Sequence, residues 1–558
     1  ETNETWSGAS GPGNPGTIAG GVDLNGFTLT IETVSAAGIM VFRINPISGT
    51  GAIVKINNGG VRFEAANTYA GPTTINDGRI IVADAHALGV QDDTPANGTV
   101  VNPSASGSGG TLVLDGVHLG TEHLTLAGPG INSPRIDSTF IGSAVDGTVL
   151  LSGGSAWISG DLAFHGLITG PGGFALLSHA FLAHSGNNWT GGMFWADFRE
   201  LRLDADNALP TFEQPQVGNF GIFRVNGHTQ TLRTVTGAGF LLLGGNGQLT
   251  LTNASGTYSG IIGDFGTITL TGGTWTLTGQ SVNAGTFANN GGMLVIDTGK
   301  MPAPYIQSAG QLRITNSGTA GPVTVNGGSF APLGVGNTGN LTLAPAATYI
   351  ETINGTAPAS FSNVHVTGAV TLGGATLSIV TAGNIAAGTQ LVIVDNDAAD
   401  PVVGIFAGLP EGATVAAGGE QFRISYIGGS GNDVVLTAIG ATTTALGSSV
   451  NPSSPGQNVT FTATVTGASP TGTVTFFDGS TPLGTIPLTG NGAQLSTAAL
   501  VPGSHDITAQ YSGDANNLPS TSNVVVQVVS AEGIPMLDWR MLAALAVAIA
   551  MIAVRMAR

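Results

Sequence analysis

The sequence contains no cysteine, almost no lysine and few charges of either sign, and each shortage excludes a class of chemistry. Without cysteine the chain has no disulfides, thiolate nucleophiles, cysteine-based zinc sites or iron–sulfur clusters. Lysine occurs only at Lys55 and Lys300, charged residues make up 9% of the chain, and the formal net charge is -18. Such a chain has no basic stripe with which to neutralise phosphates, so we expect no binding to nucleic acid.

Amphipathic helices are also missing from most of the 558 residues, and glycine and β-forming residues take their place. The 88 glycines supply turns, and 42% hydrophobic residues supply enough apolar surface for a folded chain. Apolar side chains alternate with Thr, Asn or Ser in short runs, as at residues 27–31, 111–114, 248–252, 266–271 and 374–380. A strand of this kind cannot bury its apolar face alone, so the pattern predicts an all-β fold that coils into a solenoid.

Two segments of this region are related to each other more closely. Residues 67–88 and 188–209 share an aromatic residue, a glycine two positions later and a terminal Ala-Leu pair, and a looser echo contains Tyr258. The pattern resembles the autotransporter-associated β-strand repeat of bacterial surface proteins, and residues 321–436 are similar to the final coils of such passengers. The resemblance implies a right-handed parallel β-helix over residues 1–440.

Residues 441–530 change in character, because short strands alternate with turn signals over roughly 90 residues, as a β-sandwich requires. This segment resembles the bacterial Ig-like repeat, including residues 511–514 (Tyr-Ser-Gly-Asp) and a closing strand at 524–529. The resemblance implies an Ig-like β-sandwich after the solenoid.

Residues 531–558 form a hydrophobic tail. An apolar run at 541–554, extended by the residues before it, reaches roughly the length that spans a bilayer, so we expect one transmembrane helix with its terminal arginines on the cytoplasmic side. The tail resembles the IPTL-type sorting signal, with Met536 in place of the family's Thr and Trp539 one residue early. The resemblance implies recognition by an exosortase-type membrane enzyme through the sorting motif Ile534, Pro535, Met536, Leu537, Trp539, Arg555 and Arg558.

Several side-chain patterns could support chemistry, and a structural role is the preferred interpretation of each. Residues 428–436 match a calcium-binding nonapeptide around Asp433, but one copy supplies about half a coordination shell, so we expect a glycine turn before a strand. The acid pairs are interpreted as turn edges, although Asp204 and Asp206 share one strand face and could act as an acid/base pair. These pairs are Asp92 with Asp93, Asp204 with Asp206, and Asp395 with Asp397.

Histidine and aromatic side chains also have a preferred structural interpretation. His118 with His123 and His179 with His184 are five residues apart, so the members of each pair lie on opposite strand faces unless a turn intervenes, and no metal site is predicted. Trp189, Phe194, Trp195 and Phe198 could stack on sugar rings, but packing at a corner of the solenoid is the preferred interpretation.

Together these features predict an exported, non-catalytic surface protein of a Gram-negative cell envelope, without a cofactor, that mediates adhesion or attachment to a biofilm or extracellular matrix. Because Glu1 is followed by polar, turn-rich residues, we expect the signal peptide to have been removed. One alternative is a polysaccharide lyase or glycosidase, which requires a groove where two acids and an arginine converge. Another is a passenger fragment fused to a sandwich by gene rearrangement, which predicts no specific ligand. The ligand of the solenoid, a glycan, matrix or other extracellular surface, is left open.

Overall fold

The computed structural model describes residues 4–8, 16–18, 20–33, 39–42, 46–104, 109–128, 133–195, 199–282, 285–357, 360–397, 400–530 and 539–556. The chain divides into two compact units. The first comprises Glu1–Val380, Val392–Pro410 and Tyr426–Val434, and the second comprises Thr381–Leu391, Glu411–Ser425 and Val435–Arg558. The domain boundaries that the sequence predicts after residues 440 and 530 stay predictions.

The first unit is a β-solenoid of about 15 turns, in which the strands of successive turns pair in parallel. One sheet contains Glu4–Gly8, Leu29–Thr33, Ile53–Ile56, Thr73–Ile75, Thr99–Val101, Leu124–Leu126, Val149–Leu151 and Ile168–Thr169. A second contains Gly16–Ile18, Ile39–Phe42, Gly60–Phe63, Gly78–Val82, Gly110–Leu114, Arg135–Ser138, Ser155–Ser159, Gly173–Leu176 and Met193–Trp195. A separate two-stranded parallel sheet contains Val22–Asp23 and Ile47–Ser48.

A third sheet begins at His118–Leu119, so that each coil from Thr99 to Leu182 adds one strand to each of three sheets. It continues through Ser143–Val145, Leu162–Phe164, Ala180–Leu182, Glu200–Leu203, Ile222–Arg224, Phe240–Leu242, Ile261–Gly263, Gln280–Ser281, Lys300–Met301, Thr319–Ala320, Val335–Thr338 and Asn363–Val366. The strands Gln390–Asn396, Thr414–Ala417, Glu420–Gly428 and Asp433–Ile439 follow in the chain.

A fourth sheet forms the other side of the later coils. One path contains Gln216–Val217, Thr236–Gly237, Thr257–Tyr258, Thr274–Leu277, Thr286–Asp297, Tyr305–Thr315, Val323–Val325, Leu341–Leu343, Val370–Gly373 and Val403–Ile405. Branches from it contain Thr229–Leu232, Gly247–Leu251 and Gly266–Leu270, and then Gly328–Phe330, Ala347–Ile353 and Thr376–Thr381.

The alternating sequence pattern explains why these strands stack. In Leu29–Thr33 every second side chain is buried, and the strand pairs in register with Ile53–Ile56 in the next coil. Register is maintained along the first sheet, where one inward column contains Leu29, Ile53, Thr73, Thr99, Leu124, Val149 and Ile168, all at most 3% exposed. A one-residue slip would turn each apolar side chain outward, so the pattern fixes the pairing. The predicted solenoid is confirmed.

Buried asparagines join successive coils at the repeat that the sequence shows. The side-chain oxygen of Asn67 accepts the amide of Ile47 at 2.7 Å, and its nitrogen donates to the carbonyl of Ala87. Asn187 repeats this arrangement with Ile168, at 2.7 Å, and with Ala208, at 2.9 Å. Each asparagine therefore satisfies backbone groups of the coils before and after its own, two residues ahead of a buried aromatic ring.

The Ig-like fold is present in the second unit. One sheet contains Thr443–Ser448, Val459–Thr466 and Gly492–Thr497. The other contains Thr473–Asp478, Thr481–Pro487, Gly503–Tyr511, Ser520–Thr521 and Val525–Val529. Alternate residues of both sheets form one core, in which Phe461, Phe476 and Ile507 are fully buried. The predicted sandwich is confirmed.

Asp514 organises one end of this sandwich. Its carboxylate accepts hydrogen bonds from Thr471 N (2.7 Å), Asn516 N (2.8 Å), Asn517 Nδ2 (2.9 Å) and the Tyr511 hydroxyl (3.0 Å). Although burial acts in the opposite direction, these donors hold the pKa of Asp514 well below its usual range. The spacing of Tyr511 and Asp514 in the Ig-like motif thus places the carboxylate of Asp514 where it can join two loops.

The chain then forms one apolar helix, Trp539–Met556, of 18 residues with a mean hydropathy of 1.8. None of its residues is buried against protein, and Arg555 lies in its last turn. At ~1.5 Å per residue the helix is roughly 27 Å long, close to the thickness of a hydrocarbon core. The predicted single C-terminal helix is confirmed.

Candidate functional site

A groove on the side of the solenoid is the strongest candidate for a binding site. It has a volume of about 660 Å³, and we call it the Phe194 groove. The described residues of its lining are all uncharged, namely Met193, Phe194, Gln216, Val217, Gly218, Asn219, Thr236, Gly237, Ala238, Thr257 and Ser259. These residues combine an aromatic ring with amide and hydroxyl groups.

Parallel register places the polar groups of the groove in a row. Gln216 pairs with Thr236 in the next coil, and the pairing of Gly237 with Tyr258 brings Thr257 into line with them. Gln216 and Thr257 are exposed and Thr236 is half-buried, so the three side chains face outward. Because adjacent strands are ~4.8 Å apart, this row repeats a hydrogen-bonding group along the stack at nearly regular intervals.

Two glycines, Gly237 in the lining of the groove and Gly239 two residues later, allow adjacent coils to pack closely. Gly237 has a φ of +115°, and a Cβ on it would lie 2.1 Å from the carbonyl oxygen of Val217. A Cβ on Gly239 would lie 2.3 Å from the carbonyl oxygen of Gly221. Neither glycine can be replaced without moving the backbone, because the space that a side chain would need is filled by the adjacent coil.

The aromatic cluster that the sequence contains is divided between core and surface. Trp189 is fully buried and donates from Nε1 to Glu213 Oε1 at 2.6 Å. Burial raises the pKa of Glu213, so this carboxyl group is a structural anchor. Phe194 is 64% exposed in the groove. Packing, the preferred interpretation, holds for Trp189 and is wrong for Phe194. The side chains of Trp195 and Phe198 lie outside the described residues.

Asp204 and Asp206 are held by structural contacts. Asp204 accepts hydrogen bonds from Arg202 Nε at 2.9 Å, from Arg202 Nη2 at 2.7 Å and from Asn226 at 2.8 Å. Asp206 accepts from the amide of Thr229 at 2.8 Å, and this bond, more than any other, lowers the pKa of Asp206. A general acid needs a raised pKa, so Asp206 is poorly suited to that role.

Arginines do accompany acids on this face. Arg224 lies opposite Arg202 in the next coil and contacts Glu200 at 2.8 Å and Asp264 at 3.9 Å. The acids and arginines therefore form a ladder of ion pairs, and none of these residues lines the Phe194 groove. The alternative function, a polysaccharide-acting enzyme, requires two acids and an arginine that converge within a groove.

Asp92 and Asp93 lie at a turn, as expected, whereas Asp395 lies within the strand Gln390–Asn396, so the predicted turn position is wrong for Asp395. Asp92 accepts from Thr94 N (3.0 Å), Thr94 Oγ1 (2.6 Å) and Asn97 Nδ2 (2.7 Å), and the Thr94 hydroxyl is the main reason that its pKa is lowered. Asp93 accepts from Thr148 N at 2.7 Å. Asp395 contacts His365 Nδ1 at 3.0 Å, and Asp397 follows the strand Gln390–Asn396.

The nonapeptide around Asp433 is a turn that its own side chains complete. Asp433 is 3% exposed, its Oδ1 accepts the amide of Asn396 at 2.9 Å, and its Oδ2 accepts the amide of Ser430 at 2.7 Å. Both carboxylate oxygens are therefore occupied by protein donors. This geometry agrees with the predicted glycine turn, which leads into the strand Asp433–Ile439.

The two histidine pairs are not brought together by the fold. His123 is buried with Asp93 Oδ1 3.8 Å from its Nδ1, whereas the ring of His118 lies 5.9 Å from that of His165 in another coil. His179 contacts Asp161 at 3.0 Å, and His184 accepts the amide of Gly186 at 3.0 Å. The local spacing of residues in the sequence does not predict that His118 lies near His165, because this contact depends on the register between coils.

The structure describes the sorting motif only in part. Trp539 is 73% exposed at the start of the helix, with Arg540 at 5.7 Å from its ring centre, and Arg555 lies at the other end. Ile534, Pro535, Met536, Leu537 and Arg558 lie outside the described residues. The resemblance to an IPTL-type signal stays a prediction.

Comparison with known proteins agrees with part of this architecture. Residues 446–530 match the family model described as Bacterial Ig-like domain (group 3). No curated protein is similar enough to this chain to count as a match. Among solved structures, the Haemophilus influenzae Hap adhesin is similar with 13% identity and a TM-score of 0.25, over 78% of this chain and 64% of that structure. The fold is thus a β-solenoid with a bacterial Ig-like domain and one apolar C-terminal helix.

Proposed function

We propose that this chain is an exported, non-catalytic surface protein of a Gram-negative bacterium that attaches to a neutral glycan of a surface, biofilm or extracellular matrix. The observation that supports this proposal is the uncharged Phe194 groove, with an exposed aromatic ring beside a row of amide and hydroxyl groups. The bacterial Ig-like segment and the apolar helix suit a chain held at a cell envelope.

The chemistry of the lining indicates the class of ligand. Sugar rings present apolar C–H faces and equatorial hydroxyls, which suit an aromatic face and paired donors and acceptors respectively. An acidic sugar would require cations, and the described residues of the groove lining include none. The regular spacing of Gln216, Thr236 and Thr257 along the stack favours a linear polymer over a single small molecule.

The test is binding of the full chain to immobilised neutral and acidic polysaccharides, compared with the variants Phe194→Ala and Phe265→Ala. Phe265 is a matched control, since both rings are 64% exposed and Phe265 does not line the groove. We expect Phe194→Ala to weaken binding by about 0.5–1.5 kcal/mol of stacking, or roughly 2- to 12-fold, and Phe265→Ala to leave it unchanged. Equal binding by all three proteins would refute the assignment of the groove.

The same experiment separates attachment from catalysis. If the chain is non-catalytic, the length distribution of a bound polysaccharide stays constant during prolonged incubation. Shortening of the polymer by the wild-type chain, lost in an Asp204→Asn variant, would overturn the proposal in favour of the polysaccharide-acting enzyme.

We further propose that the tail of residues 531–558 anchors the chain in the membrane and is recognised there by an exosortase-type enzyme. The exposed apolar surface of Trp539–Met556 and the position of Arg555 support a single span with its C-terminus on the cytoplasmic side. The test is fractionation of cells that express either the full chain or a chain lacking residues 534–558. Equal retention of both in the envelope would refute the role of the tail.

A further inference from the structure

Three side chains from three successive coils converge on the outside of the third sheet. His118 belongs to the strand His118–Leu119, Asp146 directly follows Ser143–Val145, and His165 directly follows Leu162–Phe164. One potential ligand atom of each lies within 4.8 Å of the other two. Among the residues that the structure describes, no other group of three His, Asp or Glu side chains comes this close together.

Strand register explains the convergence. Leu119 pairs with Val145 and Val145 pairs with Phe164, so Asp146 and His165 stand side by side on neighbouring coils. The position beside them on the preceding coil is Gly120, which has no side chain, and His118 lies two residues earlier on the same face. His118 pairs with Ala144 on the next coil, and its ring centre lies 5.9 Å from that of His165.

The backbone around the three residues is firmly held, and their side chains are accessible. The amide of Asp146 donates to Leu119 O at 2.9 Å, and the amide of His165 donates to Val145 O at 2.9 Å. The side chains of His165 and Asp146 are 44% and 36% exposed, and Nδ1 of His165 lies 2.7 Å from Oδ1 of Asp146. The donors are thus fixed at their Cα atoms but free to adjust at their tips.

We propose that His118, Asp146 and His165 form a binding site for a divalent transition-metal ion, of which Zn²⁺ is the reference case. Two imidazoles and one carboxylate are a ligand set for such ions, whereas Ca²⁺ and Mg²⁺ prefer oxygen alone. Three protein ligands leave at least one coordination position for water or an external donor. The net charge of -18 also favours the approach of a cation.

The geometry requires only small movements. Two ligands of a tetrahedral Zn²⁺ site, each ~2.0–2.1 Å from the metal, are roughly 3.3 Å apart. The Asp146–His165 pair must open by about 0.6 Å from its hydrogen-bonded distance, and His118 must close by up to about 1.5 Å. Rotation of exposed side chains provides both changes without moving the backbone.

The test uses the full chain, purified without a histidine tag, in titrations with Zn²⁺ alone. We expect one bound Zn²⁺ per chain and a rise in melting temperature on binding. Each of His118→Ala, His165→Ala and Asp146→Asn is expected to weaken binding by more than about 10-fold, because even partners outside the ligand shell contribute 10- to 100-fold. His179→Ala is the matched control, since His179 is 40% exposed and contacts Asp161 at 3.0 Å without a second histidine.

A second measurement identifies the donors. With Cu²⁺ as the probe, electron paramagnetic resonance of the wild-type complex should show two equivalent nitrogen donors, and that of His118→Ala should show one. The proposal is overturned if the wild-type chain binds no Zn²⁺, or if the His118→Ala and His165→Ala variants bind it as the wild type does. It is also overturned if His179→Ala lowers the affinity as much as they do. Equal melting temperatures of all variants without metal would establish that each variant folds.

Discussion

A buried acid in the solenoid makes the stability of the first unit depend on pH. Glu122 is fully buried, and its Oε1 accepts a hydrogen bond from the Thr99 hydroxyl at 2.7 Å. Burial, with smaller contributions from the nearby charges of Asp92 and Asp93, raises the pKa of Glu122 to about 8. At neutral pH the folded chain therefore contains this side chain mainly as the neutral acid.

The size and direction of the effect follow from linkage. In the unfolded chain Glu122 ionises near pH 4.5, whereas in the folded chain its pKa is about 8. The favourable contribution of the neutral acid is complete below pH ~4 and is lost as the pH rises to about 8. A difference of about 3.5 pH units at 1.36 kcal/mol per unit corresponds to a total loss of about 5 kcal/mol.

The informative variant is Glu122→Gln, which retains an oxygen acceptor for Thr99 but cannot ionise. Its free energy of unfolding should exceed that of the wild type by an amount that grows by up to about 1.4 kcal/mol per pH unit between pH 5 and 8. Denaturant unfolding at several pH values, followed by circular dichroism, measures this difference. Glu351 and Glu213 titrate in the same direction, so only the difference between the two proteins isolates Glu122.

The exposed Glu411 provides the control, because Glu411→Gln removes the same charge outside the core. The difference between Glu122→Gln and the wild type should depend on pH more strongly than that between Glu411→Gln and the wild type. A constant difference for Glu122→Gln, or the same pH dependence in both variants, would contradict the reasoning from burial.

Three further substitutions test other buried contacts. Lys55→Met should lower the free energy of unfolding by about 3 kcal/mol at pH 7, measured by denaturant unfolding, because the fully buried Lys55 Nζ donates to three backbone carbonyls. Trp189→Phe should cost about 2 kcal/mol in the same assay, since Glu213 loses its indole donor; no change would mean that solvent replaces it. Asp514→Ala should cost about 2 kcal/mol near pH 7 and less as the pH falls below ~4, because the lowered pKa of Asp514 stabilises the fold only while it is ionised. Hydrogen exchange of the Thr471 amide measures this last effect, and unchanged protection would refute it.

Much of the fold could be predicted from periodicity alone. The alternation at residues 111–114 and 266–271 corresponds to the strands Gly110–Leu114 and Gly266–Leu270. An apolar face that no single strand can bury requires stacking, so the solenoid follows from the pattern. The buried asparagine of the repeat was harder to identify, because Asn187 precedes a second asparagine and only the hydrogen bonds to Ile168 and Ala208 distinguish it.

The candidate sites could not be predicted because they depend on the lengths of the coils. Paired residues in adjacent coils are 25 positions apart at Thr99 and Leu124 but 19 apart at Val149 and Ile168. With a variable repeat, local spacing cannot show which side chains become neighbours. The five-residue spacing correctly predicted that His118 and His123 lie apart. It could not predict that His118 lies near His165, because that contact depends on the length of the intervening coils.

The stacking of coils through backbone hydrogen bonds also determines how the first unit responds to mechanical load. These bonds point along the stack, so a pulling force in that direction is transmitted through successive coil interfaces in series. A series arrangement yields at its weakest interface, whatever the strength of the others. Alkaline conditions that ionise Glu122 would weaken the coil that contains it and lower the force at which that coil separates from its neighbours.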